Sequence, residues 1–167
     1  MNKPEECRRM SAENREPERG ELLQNALDAL RRLAQKGESP TRHQVRDLLL
    51  ALGAEIRSGD TRAVEGAIES LHPILPAFGE SWRTAVADEI SLACTEHVRS
   101  VEPRYLDHPR YDFEYTIAAR DRLELRLCAA EKLGLAATRE WLVQVARADA
   151  LLTSSLERRS KREGRNP

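Results

Sequence analysis

The chain has 167 residues, of which 40% are hydrophobic and 33% are charged, and its formal net charge is −1. This length suits one domain with a single core and is too short for two large ones. No apolar run approaches the roughly 18 residues that cross a bilayer, so we expect no membrane span. The near-neutral charge argues against general nucleic-acid binding.

The predicted compartment is the cytoplasm, because the first ten residues lack the apolar stretch of a secretion signal. Cys7, Cys94 and Cys128 are odd in number and have no paired spacing, which predicts reduced thiols. All but four of the 27 Lys and Arg residues are arginine. A GC-rich bacterial genome accounts for that ratio, so arginine abundance does not by itself indicate a phosphate or carboxylate site.

In chain order, the first predicted elements are a disordered leader and three helices. Residues 1–19 carry five acidic and five basic side chains and almost nothing to bury, which favours disorder. The domain proper is predicted at residues 20–160. Its first three helices follow from 3.6-residue apolar stripes and end signals: one from Glu21 to Gly37, one from a Thr41 and Gln44 capping box to Gly59, and one from Asp60 to the residue before Pro73.

Residues 73–76 are predicted to be a rigid apolar connector before three further helices. These are a helix capped by Ser81 with an apolar face of Val86, Ile90, Ala93, His97 and Val101, a helix from Asp112 to Gly134, and a helix from Thr138 to about Ser160. The last two are expected to pair as an αα-hairpin, and residues 161–167 to be a frayed basic tail. No stretch alternates as a strand does, so the predicted fold is all-α, an irregular bundle of five or six amphipathic helices.

Four of the seven aromatic residues fall within residues 105–115, among arginines and a histidine. Tyrosine and arginine are enriched at the energetic centres of interfaces. This pattern favours a non-catalytic protein-interaction module, an accessory, adaptor or structural subunit of a larger bacterial assembly, or a homo-oligomer. The predicted anchors are Arg104, Tyr105, His108, Arg110, Tyr111 and Tyr115. The alternative is that Tyr111, Phe113 and Tyr115 only fasten this segment to the core.

Binding of nucleic-acid backbone is a second hypothesis. It rests on Arg104 and Arg110 beside tyrosines that could stack on bases, and on a basic C-terminal tail. The tail residues concerned are Arg158, Arg159, Lys161, Arg162 and Arg165. Against it, glutamates interrupt the tail, and basic residues at a helix C-terminus commonly complement the helix dipole.

Catalytic and metal sites have weaker sequence support. Asp107 and His108 could form a proton shuttle, but adjacent residues of an extended segment point apart and no nucleophile is placed beside them. Metal ligands could come from Glu69 with His72, or from Cys94 with His97 one helical turn on, yet each pair lacks partners. The eight glycines form no phosphate-binding loop. We therefore predict no enzyme, no metal and no cofactor.

Overall fold

The computed structural model describes residues 18–106, 108, 110–135 and 137–163, apart from the side chain of Glu163. These residues form helices and no strand, which confirms the all-α prediction. The helices are α1 (Arg19–Lys36), α2 (Arg42–Ser58), α3 (Thr61–Leu71), α4 (Leu75–Phe78), α5 (Glu80–Ser100), α6 (Pro103–Leu106), α7 (Phe113–Lys132) and α8 (Arg139–Glu163). Within the described part of the chain, no helix combines the length and the apolar character that a bilayer crossing needs.

Helix α2 lies at the centre of the molecule and packs against α1, α3, α5 and α7. Val45, Leu48, Leu49 and Leu52 are completely buried on it, because spacings of three and four residues place them on one face. Gly53 allows the closest approach, since a Cβ at this position would collide with the Leu125 carbonyl of α7. The absence of a side chain at Gly53 thus allows α2 and α7 to pack closely together.

The helix ends follow the predicted capping signals. Thr41 and Gln44 form the reciprocal capping box of α2, with Thr41 N donating to Gln44 Oε1 at 2.8 Å. Asp60 and Asp112 accept from backbone N–H groups at the starts of α3 and α7, at 2.9 and 2.8 Å. Gly134 has a φ of 72° after α7, and such left-handed backbone is easy for glycine. Local chemistry therefore determines most of these boundaries.

Several local predictions were wrong. Ser81 does not cap α5, because the helix begins at Glu80 with Gly79 at the N-cap, two residues before the predicted cap, and the Ser81 hydroxyl donates to the Phe78 carbonyl at 2.7 Å. The apolar connector after Pro73 continues into the single turn α4. The last helix extends to Glu163, so residues 161–163 of the predicted tail are helical. The last two residues of the predicted leader are ordered, because Glu18 is the N-cap of α1 and Arg19 is its first residue. Residues 1–17 and 164–167, the rest of the predicted leader and tail, lie outside the described residues.

The prediction that α7 and α8 pack against each other as an αα-hairpin was also wrong. Helix α8 packs chiefly on α5 and α6, whereas α7 packs on α2 and α5. A second, smaller apolar cluster explains this, because it joins the end of α5, α6 and α8. Its buried members are Val101, Leu106, Ala148 and Leu152. The segment that contains the aromatic residues borders this cluster.

Candidate interaction surface

Tyr111 and Phe113 are held against the second apolar cluster. The Tyr111 hydroxyl donates to the Ser100 carbonyl at 2.7 Å and accepts from the Thr116 hydroxyl at 2.9 Å. Its ring meets Phe113 edge-on, with centroids 4.7 Å apart and an interplanar angle of 78°. These two aromatic residues therefore fasten the start of α7 to the end of α5, as the structural alternative proposed.

Tyr105 and Tyr115 have a different environment, because they are 44% and 64% exposed. The guanidinium of Arg104 lies 4.7 Å from the Tyr105 ring centroid, and that of Arg122 lies 5.9 Å from the Tyr115 ring centroid. Such cation–π contacts orient a ring and leave its other face accessible. The aromatic segment thus divides into two anchored rings and two exposed ones.

The remaining predicted anchors are exposed side chains of the same segment. The Arg110 backbone N–H donates to His108 Nδ1 at 3.1 Å, which fixes the orientation of that imidazole. Arg104 Nε lies 2.7 Å from Glu102 Oε2. Asp107, the other half of the possible proton shuttle, lies outside the described residues. His108 therefore has one described role, which is to accept a backbone hydrogen bond within the segment.

The C-terminal arginines lie beside the aromatic segment. A cleft of about 220 Å³, which we call the arginine cleft, is lined by Leu106, His108, Phe113, Ser155, Arg158, Arg159 and Arg162. The guanidinium of Arg159 stands 5.1 Å from the Phe113 ring centroid. Lys161 is exposed on the same helix end, and Arg165 lies outside the described residues. The fold thus places arginines from the end of α8 beside His108 and Phe113 of the aromatic segment.

A partly buried polar network between α5, α7 and α8 was missed at the level of sequence. His97 is 2% exposed, and its Nε2 lies 2.7 Å from Asp149 Oδ1. Arg120 Nε donates to both oxygens of that carboxylate, at 2.8 and 2.9 Å. The signal that could have shown it is a histidine on the apolar stripe of α5, since buried polar groups need partners. Which residue supplies the partner cannot be deduced from the stripe.

A buried ion pair links α5 to α7. Glu89 is 3% exposed, and its carboxylate lies 2.9 Å from Arg126 Nε and 3.6 Å from Arg42 Nε. Burial raises the pKa of Glu89, while the two arginines act in the opposite direction. Burial also lowers the pKa of Arg126, and Glu89 opposes that shift. The charges of Glu89 and Arg126 therefore neutralise each other inside the helix packing.

Neither of the two residue pairs considered as metal ligands belongs to a larger ligand group among the described residues. Glu69 and His72 are exposed at the end of α3. Cys94 is fully buried, and desolvation raises the pKa of its thiol to about 11, so it packs as a small apolar side chain. Across the described residues, no group of three or more His, Cys, Asp or Glu side chains could hold a metal ion.

Comparison of the chain with protein-family models, with curated proteins and with solved structures finds no match. Fold alone does not imply function, because unrelated activities occur on similar helical frameworks. The functional inference therefore depends on the exposed tyrosines and the arginine cleft.

Proposed function

We propose that the protein is a non-catalytic protein-interaction module, acting in the cytoplasm as an accessory, adaptor or structural subunit of a larger bacterial assembly. Its contact surface is centred on the segment at residues 104–115. The observation that carries this proposal is the exposure of Tyr105 and Tyr115, at 44% and 64%, in a chain with few aromatic residues. Tyrosine supplies a large, rigid contact area at low entropic cost.

Within this surface the residues have distinct tasks. Tyr105 and Tyr115 are the proposed contact residues, with Arg104 and Arg110 beside them. Tyr111 supports the surface from beneath, because its hydroxyl is hydrogen-bonded to Ser100. An interface needs such rigid support, since ordering a mobile segment at binding weakens the affinity.

The test begins with a photo-crosslinking amino acid in place of Tyr115, introduced in the source cells. The crosslinked partner is identified, purified and titrated against the wild type, Tyr105→Ala and Tyr115→Ala. We expect each alanine variant to raise the Kd by about 5-fold to 30-fold, equivalent to about 1–2 kcal/mol. Calorimetric titration measures the Kd, and circular dichroism confirms the fold of each variant.

Two matched variants separate contact from support. Leu22→Ala removes another exposed apolar side chain, 46% exposed on α1, and should leave the Kd unchanged. Tyr111→Phe removes the hydroxyl that bonds Ser100, so it should lower the free energy of unfolding by about 1 kcal/mol with little effect on the Kd. If Tyr105→Ala and Tyr115→Ala bind as tightly as the wild type, the proposed contact surface is wrong.

Binding of nucleic-acid backbone is the second candidate, through Arg104, Arg110 and the basic end of α8. The proximity of three α8 arginines to the aromatic segment favours it. Neutralised phosphates release counterions, so the affinity should fall steeply as salt rises. Fluorescence anisotropy of a labelled single strand at about 50 and about 200 mM salt tests this. A Kd that changes little between the two conditions would contradict it.

A further inference from the structure

The arginine cleft has the charge and lining of an anion site. Arg158, Arg159 and Arg162 occupy positions on one face of the last turns of α8, and His108 of the aromatic segment also lines the cleft. Among the described residues that line it, none is acidic. Guanidinium groups donate paired N–H bonds to carboxylates, and Arg158 and Arg162 lie one helical turn apart in the lining of this cleft.

The floor of the cleft is suited to a peptide. Ser155 is 5% exposed at the lining, where its hydroxyl can act as a hydrogen-bond donor. Leu106 and Phe113 add apolar surface next to it, and Phe113 is already covered on one side by Arg159. A peptide combines carboxylates with apolar side chains, so it can use both parts of this lining.

The surroundings disfavour a long chain of phosphates. Beside the arginine cleft lies a second cleft, which shares Phe113 and Arg159 and is also lined by Asp112 and Glu114. These two carboxylates would repel the next phosphate of a nucleic-acid backbone, whose charges repeat without interruption. A peptide segment with a short cluster of charge meets no such conflict.

We propose that the arginine cleft binds a short acidic peptide segment of the partner protein. Arg158 and Arg162 pair with aspartate or glutamate carboxylates of that segment, and Leu106 and Phe113 take an adjacent apolar side chain. This inference rests on the proposed function and specifies the chemistry of the partner.

The probe is a fluorescein-labelled peptide of about twelve residues, with clustered Asp and Glu around one Leu and one Phe. It is titrated into the full chain by anisotropy, beside the same peptide with Asn and Gln in place of Asp and Glu. We expect the amide peptide to bind at least about tenfold more weakly. The double variant Arg158→Gln/Arg162→Gln should weaken binding of the acidic peptide by about tenfold or more.

The control is Arg31→Gln/Arg32→Gln, which removes the same charge from exposed positions on α1. We expect it to bind the acidic peptide like the wild type, and circular dichroism should show native helicity for both double variants. Equal weakening by the two double variants would overturn the inference, because the attraction would then be general. Absence of peptide binding would overturn it too, as would tighter binding of a single-stranded oligonucleotide of equal charge.

The outcomes also distinguish this inference from the proposed function. If the crosslinked partner loses affinity with Tyr115→Ala but not with Arg158→Gln/Arg162→Gln, the interaction module stands and the acidic-peptide inference fails. If binding of the acidic peptide requires Arg158 and Arg162, while binding of the protein partner does not require Tyr105 or Tyr115, the proposed contact surface is wrong and the acidic-peptide inference stands.

Discussion

His97 is a base placed where its neutral form is favoured. Burial lowers its pKa, and this outweighs the opposing effect of the Asp149 carboxylate, whose charge is already paired with Arg120. In the neutral tautomer, Nε2–H donates to Asp149 and Nδ1 stays unprotonated. Nδ1 has no hydrogen-bond partner among the described residues, so a proton there would be buried without an acceptor.

The stability of the protein should therefore depend on the protonation of His97. Because its folded pKa lies below the ordinary value of 6.5, the unfolded chain binds a proton more readily, and acidification favours unfolding. Urea denaturation from about pH 7.5 to about pH 5.5 should show a decreasing free energy of unfolding, by up to about 1.4 kcal/mol per pH unit below pH 6.5.

His97→Gln is the comparison that isolates this effect, since it keeps an amide donor and does not titrate. Glu89 titrates in the opposite sense, because burial raises its pKa and its contribution to stability decreases as pH rises. Glu89 is present in both proteins, so the difference between their pH profiles belongs to His97. Parallel profiles would show that folding does not lower the pKa of His97.

At the scale of the helices, glycine positions provide a direct test of the packing. Gly53→Ala places a methyl group against the Leu125 carbonyl, so α2 and α7 must separate. We expect this substitution to lower the free energy of unfolding by about 1–3 kcal/mol or more. Urea denaturation followed by circular dichroism measures the change.

Gly66→Ala is the matched control, because Gly66 also lies inside a helix, α3, but a Cβ added there would meet nothing within 4 Å outside the neighbouring helix backbone. Alanine there should stabilise the protein by about 0.5–1 kcal/mol, since it lowers the backbone entropy of the unfolded chain. If Gly53→Ala were as stable as Gly66→Ala, α2 and α7 would not approach as closely as described.

At the scale of the whole molecule, the described residues form a large and a small apolar cluster, and we expect the regions around them to differ in local stability. The main cluster surrounds α2 and includes residues of α1, α3, α4, α5 and α7 together with Val145 of α8, whereas the second cluster joins the later part of α8, at Ala148 and Leu152, to α6 and the end of α5. Regions with fewer buried apolar contacts open at lower free energy. The end of the molecule with the contact surface is therefore its more easily opened part.

Hydrogen–deuterium exchange followed by mass spectrometry tests this division. Amides of α2, which carries four completely buried side chains at Val45, Leu48, Leu49 and Leu52, should exchange most slowly. Amides of the last turns of α8, near Leu152 and beyond, should exchange faster. Uniform protection along both helices would indicate that the two clusters unfold as one cooperative unit.

Sequence signals predicted the parts of this molecule that depend on near neighbours. Thr41 with Gln44, Asp60 and Asp112 are recognisable as caps because each bonds a backbone N–H three residues away. The prediction that Ser81 caps α5 was wrong because a serine hydroxyl can also donate to a nearby backbone carbonyl, as Ser81 does to Phe78. The sequence grouped Tyr105, Tyr111 and Tyr115 as anchors, but it did not predict that Tyr111 would be held by the Ser100 carbonyl while Tyr105 and Tyr115 are exposed.

What the sequence by itself determined was the all-α class, the caps of α2, α3 and α7, and the apolar stripe of α5 from Val86 to Val101. The tertiary structure alone decided that Tyr111 bonds Ser100, that His97 meets Asp149 52 residues later, and that the α8 arginines line a cleft with His108 and Phe113. The physical reason is the sequence separation over which each interaction acts, because capping and helical periodicity involve residues within one or two helical turns. Contacts between distant residues depend on the packing of the whole chain.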